Sequence, residues 1–416
     1  MFSVFHPEIA QEALRYPAGI QGFRIRGEPT PFFIVKMLHQ YLLTAKMNKG
    51  FKVYVVPLNV SGIVTVGLIT AFFEDPESPL TVWTPLANEP ASKELVAALL
   101  SGELKVHLFD EHNRELLGYA ASVDIPLKAK VLLAYAKLYD LSHQTAHELS
   151  DAAEAWFSTR TPQEDAEAIS IRFDEPLFPE EMEIMDMHHH RYSFHGSKGF
   201  SQMSLVKTEP GQFQEIDVIL LLQRIFHPHQ IFHAPKRVYD REEIADVIVI
   251  TDELCLIIQA KDSPNTEKML QNSLERKHLK ALKQLKEGMR QASGAIGYLD
   301  RIRPFRMLID DRVIELDLGN RQILSLIVVR ELFQDSYADY SRLLFDLFKQ
   351  IDLPCIALDY AELHRYTSYC EGADEFINAY FQVFDFAREN GQFPRLRFGV
   401  KDLFRQDGSF KFDRVR

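Results

Sequence analysis

Cysteine is scarce in this chain, with three in 416 residues, at positions 255, 355 and 370, and none in a Cys-x-x-Cys pair. That spacing argues against a disulfide framework and a structural zinc site, and it points to a reducing, cytoplasmic home. Long apolar runs are also missing. The longest, from Val60 to Phe73, is too short to span a bilayer as a helix and contains Thr and Gly, so it reads as strand and no membrane partner is expected. The opening residues MFSVFHPEIAQEALRYP lack a basic region followed by an apolar core, so no secretory signal is expected. No GxxxxGK[ST] loop, GxGxxG turn or GxSxG elbow occurs, which leaves P-loop ATPases, dinucleotide enzymes and α/β-hydrolases without support. Positive charge is not in excess either. A formal net charge of −12 argues against a surface that coats nucleic acid throughout, while leaving room for a local basic patch.

What is present is the composition of a globular protein, 46% hydrophobic and 25% charged, in a chain long enough for two domains. Residues 1–160 read as an α+β domain. Strand-like runs lie at Phe51–Val60, Ile63–Phe73, Leu80–Pro85, Leu104–Phe109 and Leu116–Ser122. Helices are expected at Glu8–Arg15, Ala91–Leu100, Leu127–Tyr139 and Ala146–Phe157, the last with Ser142 as N-cap. The aromatics Phe51, Tyr54, Phe72, Phe73 and Trp83 are assigned to its core. Residues 161–200 mix acidic clusters, prolines and glycines without a sustained period, and read as a linker. Residues 201–416 give the order α-β-β-β-α-β and then a helical extension. The expected elements are a helix at Phe213–Phe226, strands at Ile231–Val238, Ile244–Ile250 and Leu254–Lys261, and a long helix over Thr266–Tyr298. A hairpin at Phe305–Leu318 and a strand at Ile323–Val329 follow. The fold class is therefore α/β, a mixed sheet flanked by helices, in the C-terminal half, with a separate N-terminal α+β domain.

The segment EIADVIVITDELCLIIQAKDS, residues 243–263, carries the chemistry. Side chains alternate along a strand, so Asp246 shares a face with Ile248 and Ile250, and Gln259 and Lys261 share one with Ile257. An acid among Val and Ile is costly unless it is paired or binds a metal, and the same holds for Lys261. Hydrolysis of a phosphodiester gives the group a task. Asp246 supplies a carboxylate, Gln259 its amide oxygen and Ala260 its backbone carbonyl to a hard cation, while Lys261 stabilises developing charge.

The pattern Asp246…Gln259-Ala260-Lys261 on a hairpin between two helices resembles the PD-(D/E)xK nuclease superfamily. The glutamine in place of the usual acid, within IIQAK, is similar to Mrr-type restriction endonucleases. The lead-in REEIAD departs from the glycine-rich one common there. The resemblance covers roughly residues 210–330 and implies a restriction-endonuclease-like fold, cleavage of DNA with Mg²⁺ or Mn²⁺, and a role in defence against foreign DNA. It also implies a glutamate on the preceding helix, for which Glu215 is best placed. The alternative is a nuclease-like fold that binds or scaffolds without cleaving; an RNA substrate is a third reading.

The helix after Lys261 is basic, seven Lys and Arg against three Glu over residues 266–291, and Arg276, Lys277, Lys280 and Lys283 fall on a face suited to DNA phosphates. A solvated helix face is the plainer explanation. His188, His189 and His190, with Asp186 and His195 near, are consecutive and cannot all face one ion, so a flexible loop is expected. His143 and His147 lack the HExxH context. His227, His229 and His233 flank a helix-to-strand turn where they could face the cleft. The aromatic stretch Phe376–Phe386 reads as core or as a dimer contact. Paired cuts in a duplex need two sites, which makes a homo-oligomer attractive, and any activator or motor would be a separate protein.

Overall fold

The computed structural model describes residues 1–60, 62–73, 79–140, 143–207, 211–302 and 304–396; Ser142 lies outside them. They form two compact units, one of Met1–Met182 with Ser204–Val206, the other of Glu183–Met203 with 207–396. No described helix is long and apolar enough to cross a membrane.

The first unit is built on eight strands: β1 (Gly19–Phe23), β2 (Phe32–Lys36), β3 (Gly50–Val60), β4 (Ile63–Phe72), β5 (Leu80–Pro85), β6 (Glu103–Phe109), β7 (Glu115–Asp124) and β8 (Ile169–Pro176). They lie in the order β1-β2-β6-β7-β8-β3-β4-β5, antiparallel throughout except for the parallel β2–β6 pair. Period-2 alternation turns Tyr54, Val56 and Leu58 of β3 and Ile69 and Ala71 of β4 to one face. There Leu149 and Ala153 of the helix His143–Ser158 cover them, with Trp83 and Trp156 at the margin. Gly67 is needed for this packing, since a Cβ there would fall 1.9 Å from the Trp83 ring. Phe51, Tyr54 and Phe72 are core residues as expected.

The segment read as a linker is not one. Its alternation Ile169-Ser-Ile171-Arg-Phe173 makes β8, a central strand whose three apolar side chains are buried between β7 and β3. The remainder, from Glu183, belongs to the second unit, where β9 (Ile184–Asp186) pairs with β10 (Ser201–Met203). The histidine run, read as a flexible loop, carries local structure. His189–Tyr192 form a 3-10 turn, fixed by Asp186, which accepts from Arg191 at 2.8 Å and bonds His188 Nδ1 at 2.5 Å.

The second unit holds a five-stranded sheet, β11 (Ile231–His233), β12 (Val247–Ile250), β13 (Leu254–Lys261), β16 (Gln322–Val329) and β17 (Cys355–Asp359), side by side in that order. The hairpin β14 (Phe305–Ile309) and β15 (Arg312–Leu316) is a separate two-stranded sheet whose Phe305, Met307 and Ile309 share a core with Ile248, Cys255 and Ile257. Strands β11 to β13 are antiparallel, and β13, β16 and β17 are parallel. Helix α1 (Gly211–Leu222) packs against β11 and β13, and α2 (Leu274–Arg301) against β13 and β16. Helices α3 (Tyr337–Ile351), α4 (Tyr360–Tyr369) and α5 (Ala373–Asn390) complete it.

Helices cover the sheet closely, which is why LCLII is an unbroken apolar run. Cys255 and Ile257 meet Ala295, Ile296 and Leu299 of α2 in one core. The aromatics Phe376, Tyr380 and Phe384 of α5 are buried as expected, while Phe386 is exposed. All three cysteines are buried, and no disulfide joins them.

Several bounds differ from the sequence expectation. The helix from Leu127 ends at Tyr135. β11 stops at His233 because Ala234 adopts a positive φ of 45° and Pro235 follows. The long helix begins only at Leu274, preceded by the short helix Glu267–Leu270, whose cap Thr266 accepts from the Met269 amide at 3.4 Å.

Candidate active site

The site forms where β13 outruns its neighbour. The β12–β13 ladder ends at the Val247–Ile258 pair, so Gln259, Ala260 and Lys261 continue without a strand on that edge. Asp246 stands at the bend just before β12 rather than within the strand, and continuing the register places it opposite Gln259. Its Oδ2 accepts from the Ala260 amide at 2.5 Å and from Lys261 Nζ at 3.3 Å. The buried carboxylate thereby caps an N–H that has lost its ladder partner. In an extended strand a residue's N–H and C=O leave from the same edge, so the Ala260 carbonyl is directed to the Asp246 side as well. Asp246 and Gln259 are buried, and the Lys261 side chain keeps a little solvent access.

A third group, not singled out in the sequence, completes this end. The Glu243 carboxyl hydrogen-bonds Asp246 and lies within electrostatic reach of Glu215 and Lys261. Glu243 is exposed as a residue, yet lost solvation at the carboxyl, the bond to Asp246 and the charges of Asp246 and Glu215 push it up to about 8. At neutral pH it is therefore mostly protonated and donates to Asp246. A signal was available, since Glu243 stands three residues before Asp246 in REEIAD, but three acids in four residues at a turn resemble solvated surface.

Glu215, on α1, lies within electrostatic reach of Glu243, and no bond joins it to Asp246, Glu243 or Lys261 among the described residues. It accepts from His233 Nε2 at 2.9 Å, so His233, at the end of β11, is the one member of the histidine trio tied to this place. His227 and His229 instead stack on each other, with ring centroids 5.5 Å apart.

On the opposite side α2 comes down closely over Lys261. Gly288 is the contact, since a Cβ there would lie 2.7 Å from Ile327 Cγ2 and 3.6 Å from Lys261 Cγ. One turn earlier Gln284 binds the loop that follows β13. Lys283 and Lys261 both act electrostatically on Glu287. Lys280 is half-buried, and Arg276, a turn further away, is exposed.

The structure thus brings together Asp246, Ala260 and Lys261, adds Glu243, keeps Gln259 buried beside them, and leaves Glu215 paired with His233 within electrostatic reach. The donors are hard oxygens (two carboxylates, a backbone carbonyl and an amide), the kind that hold Mg²⁺ or Mn²⁺ rather than a soft metal. The proton between Glu243 and Asp246 keeps two carboxylates together, a task a cation performs as well.

No family model matches the chain, and neither does any curated protein or solved structure.

Proposed function

We propose that the second unit is a divalent-metal-dependent nuclease that hydrolyses phosphodiester bonds in DNA. One observation carries this reading. Asp246 is bonded to Lys261 and to the Ala260 amide where β13 continues beyond β12, with the Glu243 carboxyl beside Asp246. Further support comes from the order α1, β11, β12, β13, α2, β16, which is that of a restriction-endonuclease-like core.

In this reading Asp246 and Glu243 hold the metal, with the Ala260 carbonyl and the Gln259 amide as further oxygen donors. Mg²⁺ or Mn²⁺, when bound, supplies Lewis-acid polarisation of the phosphate and lowers the pKa of a coordinated water. Lys261 faces negative charge that grows on the phosphate oxygens during attack. Its ammonium is held in place by Asp246 and by the close passage of Gly288, so little reorganisation is needed. In this reading Glu215, bonded to His233, orients the attacking water.

A second reading, a nuclease-like protein that binds without cutting, draws on Gln259, whose neutral amide is a weaker metal ligand than the usual carboxylate. Incubating the full chain with plasmid DNA and with a structured RNA, in Mg²⁺, Mn²⁺ or EDTA, separates the readings. DNA cleavage abolished by EDTA is expected. Cleavage of RNA alone, or binding without cleavage in either metal, overturns the proposal.

A further inference from the structure

The loop after β13, residues 262–265, is clamped from two sides. Gln284 of α2 donates to the Asp262 carbonyl at 2.6 Å and to Ser263 Oγ at 3.0 Å. Arg330, directly after β16, donates to the carbonyls of Ser263 and Pro264 at 3.1 and 3.0 Å and to Asn265 Oδ1 at 2.9 Å. All three acceptors are neutral, and three of the five guanidinium N–H groups are used.

Lys280 lies one turn before Gln284 on the same face of α2. Its Nζ meets the Met269 thioether at 3.8 Å and has no carboxylate at ion-pair distance among the described residues. It is half-buried and close enough to Arg330 to be repelled. Burial first, and then the Arg330 charge, lower its pKa, with Asp262 the one carboxylate that offsets them.

Arg330 is bonded to this loop and Lys280 stands one turn from the Gln284 that binds it, both partly desolvated and without a carboxylate at ion-pair distance among the described residues, which disfavours the fold by itself. An anionic ligand removes that penalty. Gly288, two turns along the same face, rests on Lys261, so Lys280 stands ~12 Å along the helix axis from the carboxylate site. A nucleic-acid backbone with its scissile phosphate at Lys261 and its course along α2 presents another phosphate there.

We propose that Lys280 and Arg330 form a binding site for a DNA backbone phosphate a few nucleotides from the phosphodiester held at Lys261. The identity of the ligand rests on the nuclease reading, but the pair of cations does not involve the carboxylates, so the two can fail separately. Lys280 offers three donors and Arg330 its two remaining N–H groups to the phosphate oxygens, as charge-assisted bonds.

The test uses the full chain carrying Asp246→Asn, in EDTA, so that binding is read without turnover. Affinity for a 20-base-pair DNA duplex (~20 bp suffices to run the length of α2) is followed by fluorescence anisotropy over a salt series. Adding Lys280→Gln is expected to weaken binding roughly tenfold and to lower the slope of log affinity against log salt by about one. Lys286→Gln, on the opposite side of α2, leaves both unchanged. Lys280→Met, which removes the unpaired cation, is expected to keep or raise the melting temperature at low salt while losing the same affinity, which excludes misfolding as the cause. Unchanged affinity and slope for Lys280→Gln refute the site, as does absence of duplex binding by the parent. A loss seen only with an RNA duplex overturns DNA as the ligand.

Discussion

Glu243→Gln isolates the least expected feature of the site. With the carboxyl at about 8, against 4.5 in an unfolded chain, the native state holds a proton that the unfolded state releases. A raised pKa in an acid contributes stability that is fully present below 4.5 and is lost as pH rises through 8. Taken in full, that displacement corresponds to about 5 kcal/mol. Glu243 is surface-exposed, however, and solvent screening reduces the expected effect to about 1–2 kcal/mol. Glutamine imitates the protonated acid, donating to Asp246 at every pH.

Wild type and variant should therefore melt together at pH 5, and the variant should melt about 3–6 °C higher at pH 9 in EDTA. Glu362, also pushed up to about 8 by burial, adds to the pH slope of both proteins and cancels in the difference. Adding Mn²⁺ at pH 8 should favour the wild type, because ligand binding to the native state adds stability and only the wild type offers both carboxylates. Superimposable melting curves from pH 5 to 9, with and without Mn²⁺, would refute the shared proton and the pairing of Glu243 with Asp246.

Restoring an acid by Gln259→Glu should tighten Mn²⁺ binding in calorimetry by roughly tenfold or more, since a carboxylate replaces an amide as ligand; weaker binding would place Gln259 outside the donor set. Gly288→Ala puts a Cβ 2.7 Å from Ile327, which must displace α2 or the Ile327 side chain. A loss of about 1–3 kcal/mol in urea denaturation is expected, together with slower cleavage as Lys261 shifts. Lys207 and Asp217 form a fully buried ion pair at 2.9 Å. Lys207→Met should cost about 3–5 kcal/mol by the same method, because it removes one partner of a buried ion pair.

Much of the second unit could be read from sequence because its signals are local and strong. An unbroken apolar run ending in Gln-Ala-Lys has few structural solutions, and a lone acid before Val-Ile-Val-Ile marks itself by its cost. What escaped detection depended on neighbours. β8 is a period-2 strand of three apolar residues beside acidic and proline-containing sequence, and only insertion between β7 and β3 stabilises it. Strands β1 and β2 were missed for a related reason, since FFIVK is a short run whose partner β6 lies some seventy residues away. Glu243 was passed over because acids crowd the turn before β12, and the sequence offered His233 only as one of three histidines, since its partner Glu215 lies on α1. Gly288 is legible only once α2 has a sheet to approach.

The most direct test of the central claim is single-turnover cleavage of supercoiled plasmid in Mn²⁺ by the wild-type chain, Asp246→Asn and Lys261→Ala, with folding of each checked by its melting curve. The account predicts metal-dependent nicking by the wild type and a loss of at least about 100-fold in rate for each variant. Equal cleavage by all three proteins would contradict it.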